Sequence, residues 1–173
     1  WHKVVDAKDT LDEHIWIDDY SVLSIDQLRT RAQRMVQEHN VDLIIVDYVD
    51  LIHPETAPGR YEIKGQDYRK LSRSLKVIAR ELNIPVLALA QISRKVNRSL
   101  GEGASVLDAQ DYSIENDADV VMYIHREDMH DRYTTLQNIA DIIVAKHRNG
   151  IREAISLYCD PRTGRFRDLM RNT

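Results

Sequence analysis

The chain has a single cysteine, Cys159, in 173 residues, so no internal disulfide can form and a reducing, cytoplasmic setting fits. Nowhere does an apolar run approach the ~20 residues of a membrane span, and no signal-peptide pattern opens the chain. No membrane partner is expected. Positive charge is not in surplus either: the net charge is −4, so any nucleic-acid binding must rest on a local patch. Internal repeats and low-complexity segments are also missing. What remains is a composition 43% hydrophobic and 30% charged, that of a globular soluble chain long enough to bury a sizeable core as a single domain spanning residues 1–173. It begins with Trp1 rather than Met, and reads as a piece cut from something longer.

The stretch around which the rest is arranged is Leu43-Ile44-Ile45-Val46-Asp47-Tyr48, four large apolar residues followed by a carboxylate. Such a run predicts a strand of a parallel sheet buried on both faces. Asp47 then falls at its carboxyl end, the edge at which ligands bind in open α/β sheets. An aspartate there can hold Mg²⁺, usually through water, against nucleotide phosphates. It can equally do no more than cap a turn after an ordinary core strand.

Ahead of this strand, Ile15-Trp16-Ile17 predicts a short strand ending in Asp18-Asp19. Ser24 opens a helix with Gln27 at the capping-box spacing, and Ile25, Leu28, Ala32, Met35 and Val36 give it one apolar face as far as about His39. Residues 53–65 read as a loop. Tyr68, Leu71, Leu75, Ile78 and Leu82 make a second amphipathic helix; Arg69, Lys70, Arg73, Lys76 and Arg80 on its other faces read as a solvated surface in preference to a nucleic-acid stripe.

A second buried strand, 85–90, ends at Gln91, an amide that could bond both an attacking water and a γ-phosphate oxygen, or simply terminate a strand. Residues 94–104 read as a polar, basic loop. Residues 120–124 predict a third strand, introduced by Asp117 and Asp119. Residues 139–145 and 154–158 predict a hairpin about Arg148-Asn149-Gly150, because Asn-Gly is a strong turn signal. Another turn at 162–165 precedes a last short strand at Phe166. The order of elements gives an α/β sheet, mostly parallel, with an antiparallel edge.

Four of these segments, 43–52 (LIIVDYVDLI), 71–94 (LSRSLKVIARELNIPVLALAQISR), 114–122 (IENDADVVM) and 145–150 (AKHRNG), resemble in order and spacing the carboxyl-terminal RecA-like motor domain of DnaB-type replicative DNA helicases. The resemblance runs from about Ile15 to Leu169. It implies a RecA-like P-loop NTPase core, with ATP and Mg²⁺ bound between neighbouring subunits of a homo-hexamer around single-stranded DNA, and a loader and a primase as possible partners. Asp47 would be the Walker B carboxylate and metal holder, and Gln91 the γ-phosphate sensor. Lys146 and Arg148 would be the cations that reach the neighbouring subunit's nucleotide.

The phosphate-binding pattern G-x-x-x-x-G-K-[ST] does not occur in the chain, so the amino-terminal part of such a core is expected to lie before Trp1, and the fragment alone is expected to be inactive. Where the family tends to read Leu-Arg-Glu-Ser-Gly in its DNA-contacting motif, this chain has Asp108-Ala109-Gln110-Asp111-Tyr112. DNA contacts are therefore expected from Gln110 with Arg94, Lys95 and Arg98. The competing expectations are a helicase-like binding or assembly module without ATPase activity, and another RecA-like ATPase of recombination or clock type.

Overall fold

The computed structural model describes residues 15–20, 23–53, 65–91 and 116–169. They fall into two compact units, residues 1–63 with 74–90, and residues 64–73 with 91–173.

In the first unit, β1 (Leu23–Ser24) leads into helix α1 (Ile25–His39). The predicted capping box is formed: the Ser24 hydroxyl accepts from the Gln27 amide at 3.2 Å, and the Gln27 side chain accepts from the Ser24 amide at 2.9 Å. Asn40 closes the helix in the left-handed conformation, φ 51°, its amide bonded to the Val36 carbonyl. Ala32 is buried and the other four residues of the predicted apolar face are half-buried, whereas Gln27, Arg34 and Gln37 face out.

The strand expected at 15–17 does not form. Residues 15–20 carry no ladder and are fixed by side chains instead: Trp16 stacks on His39 at 4.8 Å, and Arg31 lies over the Tyr20 ring while pairing with Asp18 at 2.8 Å. The Asp18 carboxylate also accepts from the Tyr20 amide, a local bond that competes with strand pairing.

Two parallel strand pairs follow. β2 (Ile44–Val46) pairs with β4 (Val86–Ala88), Ile44 opposite Val86 and Val46 opposite Ala88, while β1 pairs with β3 (Ile52–His53). A single 3₁₀ turn, Val49–Leu51, joins β2 to β3, with Val49 fully buried. Burial on both faces of β2 is not found: Val46 is 8% exposed, but Leu43 is 48% and Ile45 58% exposed, and Leu87 and Leu89 of the paired segment are exposed too. An apolar run shows that both faces favour cover, but not which segment supplies it.

Helix α2 (Gly65–Leu82) contributes to both units. Its stripe of Leu71, Leu75 and Ile78 is buried and Arg69, Lys70, Arg73 and Arg80 are exposed, the amphipathic division predicted. Ile78 is 2% exposed whereas its neighbour Val77 is 41% exposed. Ile78→Ala is therefore expected to cost about 2–5 kcal/mol in denaturant unfolding, and Val77→Ala about 0.5 kcal/mol or less. Equal costs would contradict this assignment of the core.

In the second unit β5 (Val120–His125), β6 (Ile139–His147), β7 (Ala154–Asp160) and β8 (Arg165–Asp168) form an antiparallel sheet in chain order. The antiparallel part is thus larger than an edge hairpin, because β5 joins it. The predicted turn before Phe166 is present: Gly164 takes φ +67°, and its amide bonds the Asp160 carbonyl at 2.8 Å.

Between β5 and β6, Arg126 grips the Asp128 carboxylate with two bonds, 2.8 and 3.1 Å, and the same carboxylate accepts from the Asn138 amide at 2.9 Å. The Arg126 guanidinium is the main cause that holds the Asp128 carboxyl below its ordinary value of 3.8. A depressed carboxyl stabilises the fold above its unfolded-state pKa and loses that contribution as pH falls through the folded value. Asp128→Asn should accordingly destabilise the protein by about 1–3 kcal/mol near neutral pH. The difference from the unsubstituted protein should shrink once pH drops below about 3.8. A gap independent of pH would contradict it.

Candidate functional site

Asp47 lies one residue beyond β2. The bonds around it are irregular: Leu89 donates to the Val46 carbonyl at 3.0 Å and accepts from the Val49 amide at 2.9 Å. In a regular parallel ladder the acceptor and donor flank one residue; here they flank two, Asp47 and Tyr48, whose peptide bond is cis. The extra residue makes a bulge that turns Asp47 outward while Val49 is fully buried. Among the described residues no hydrogen bond or ion pair engages its carboxylate, and no group of three or more His, Cys, Asp or Glu forms a metal cage. One outward carboxylate fits Mg²⁺ that keeps its waters and arrives with a phosphate. Gln91 follows β4 by three residues and is exposed. Arg94, Lys95, Arg98 and Gln110 lie outside the described residues.

Lys146 and Arg148 are at the end of β6. Val121 stands opposite Lys146 and Met122 opposite Val144, so Ala145 is an extra residue, a β-bulge at the start of AKHRNG. The slip carries Lys146, His147 and Arg148 one place along β5. The Lys146 ammonium donates to the Asn116 carbonyl at 3.1 Å. Arg148 meets Asp119 twice, its amide donating to the Asp119 carbonyl and its guanidinium Nη1 to the carboxylate, both at 2.9 Å. Both cations therefore turn toward residues 116–119, while the His147 ring bonds the Ile151 carbonyl at 3.3 Å and packs where a side chain on Gly150 would stand.

The tight Asn149-Gly150 turn is not formed. A two-residue hairpin turn of the type that favours Asn-Gly needs positive φ at both positions, and neither has it. Because β6 outruns β7, its last ladder partners being Ile143 and Ala154 with a further bond from Val144 to Glu153, residues 145–147 pair with β5 alone and the connection is wider.

Asn116 and Asp119 were not among the expected site residues. Their signal was present in IENDADVVM, the segment next to which AKHRNG folds.

The family model of the DnaB-like helicase C-terminal domain matches residues 1–168. The replicative DNA helicase DnaB of Rickettsia typhi is 38% identical over 183 aligned residues, covering 95% of this chain and 36% of that protein. The replicative DNA helicase DnaC of Bacillus subtilis is 38% identical, covering 91% of this chain and 35% of its own length. The chain thus spans about a third of the curated relatives it matches. Among solved structures, a helicase ATPase domain superposes with a TM-score of 0.82 at 26% identity, covering 96% of this chain and 58% of that one. A DnaB-like replicative helicase, described with its interactions with primase, superposes at 0.77 with 28% identity, covering 88% and 36%.

Proposed function

The chain belongs to the DnaB-like helicase C-terminal domain family, and from that premise we propose that residues 1–173 are one part of a RecA-like motor domain that couples ATP hydrolysis to movement on single-stranded DNA. Asp47 is the Walker B carboxylate: it orients a water shell on the magnesium that accompanies the nucleotide, and its outward aim from the bulge suits that task. Gln91, exposed beyond β4, bonds the attacking water and a γ-phosphate oxygen. Lys146 and Arg148 approach the nucleotide of the next subunit in a hexameric ring. A planar guanidinium bridges two phosphate oxygens and stays charged at any working pH.

The observation that carries this reading is the paired placement of Lys146 and Arg148. A bulge and three hydrogen bonds to residues 116–119 present two cations side by side on an exposed sheet end, an arrangement with no evident packing role. Arg94, Lys95, Arg98 and Gln110 contact the DNA backbone, and the setting is cytoplasmic. Primase and a loader are the expected partners, primase by analogy with the solved relative described with it.

The test is steady-state hydrolysis and strand separation by the full-length protein carrying these residues. ATP turnover stimulated by single-stranded DNA and lost on Asp47→Asn is expected. A protein that binds single-stranded DNA but hydrolyses no ATP would be a binding module and would overturn the proposal.

A further inference from the structure

We propose that Asp119 is the positioning residue for Arg148, holding the guanidinium in register for the neighbour's nucleotide without consuming the edge that meets phosphate. This rests on the trans-acting reading of Arg148. Three observations carry it. The first is the bulge at Ala145. Continuing the Met122–Val144 register without the extra residue would place His147, not Arg148, opposite Asp119. The insertion therefore sets this particular pair. The second is the two-point grip: the Asp119 carbonyl fixes the Arg148 backbone and its carboxylate fixes Nη1, both at 2.9 Å, so rotation at either end is restrained.

The third is what the grip leaves over. A guanidinium has five N–H donors, and Asp119 takes one at Nη1. Among the described residues no bond is made by Nε or Nη2, so a two-donor edge remains for phosphate oxygens. Arg148 is 53% and Asp119 49% exposed, so the pair is weak and open to a ligand rather than sealed. A carboxylate tied more tightly would compete with the nucleotide. The Lys146 ammonium, resting on the Asn116 carbonyl, is aligned by the same segment through a neutral oxygen.

A residue that acts only by orienting another should affect turnover more than binding, and only while the oriented residue is present. The experiment measures kcat and nucleotide affinity in the full-length ring protein for Asp119→Ala, Asp119→Asn, Arg148→Ala and the double variant Asp119→Ala with Arg148→Ala. Misplacement of the guanidinium should lower kcat about ten- to a hundredfold in Asp119→Ala. Nucleotide affinity should stay within a few-fold. Asp119→Asn, of the same shape and with the accepting oxygen kept, should lie closer to the unsubstituted rate and guards against a folding defect in the alanine variant.

In the Arg148→Ala background, Asp119→Ala should cost nothing further. An unchanged kcat in Asp119→Ala, or the same factor lost with and without Arg148, would make Asp119 structural and overturn the inference while leaving the proposed function standing. If Arg148→Ala itself hydrolyses ATP at the normal rate, the trans-acting reading fails and takes this inference with it.

Discussion

Arg148→Ala, made in the assembled ring protein that carries these residues with a phosphate-binding loop, is expected to leave nucleotide binding within a few-fold and to slow hydrolysis by about 10³–10⁵. The size follows from where the charge acts. Binding is dominated by the phosphate loop and the magnesium on the subunit that owns the nucleotide, whereas a cation brought by the neighbour meets charge that grows only as the terminal phosphoryl group leaves. An interaction made in the transition state alone lowers kcat without weakening the ground-state complex. Arg148→Lys should recover little, because an ammonium cannot bridge two oxygens in the manner of a planar guanidinium. Normal turnover by Arg148→Ala rings would reduce the end of β6 to a structural feature.

The second large effect is on the 173-residue chain itself. Purified 1–173 is expected to turn over no ATP measurably, since no G-x-x-x-x-G-K-[ST] segment occurs in it to supply the row of backbone amides and the lysine that cradle phosphates. Asp47 contributes one carboxylate through water, too little to retain a nucleotide by itself. Joining the chain to a family phosphate-binding segment should restore both binding and hydrolysis. Magnesium-dependent turnover by 1–173 alone, abolished by Asp47→Asn, would contradict this.

Much of the local structure was legible because its causes are local. The Ser24 cap, the Ala32 face of α1 and the Leu71, Leu75, Ile78 stripe depend on spacings of three and four residues, and all three are formed. What was not legible depends on partners. The bulges at Asp47-Tyr48 and at Ala145 exist only in relation to Leu89 and to Val121, so no window of sequence contains them. The Asn149-Gly150 signal failed for a similar reason: a hairpin turn is tight only if both strands run to it, and β7 stops short of the end of β6.

The site divides in the same way. Lys146 and Arg148 were found through the motif that contains them, but that they rest on Asn116 and Asp119 follows from pairing across nearly thirty residues. Ile15-Trp16-Ile17 had the apolar content of a strand, and side-chain anchors to His39 and Arg31 settled it otherwise.

The most direct measurement mixes two inactive proteins. Rings assembled from equal amounts of Arg148→Ala and Asp47→Asn subunits contain interfaces where an intact Asp47 faces an intact Arg148 from the neighbour, about one quarter of the total when subunits mix at random in a head-to-tail ring. Cations that act across the interface predict ATP hydrolysis well above that of either protein alone, highest near equal mixing. Hydrolysis no higher than that of the two separate proteins, with mixed rings shown to have formed, would mean that Arg148 serves its own subunit or none.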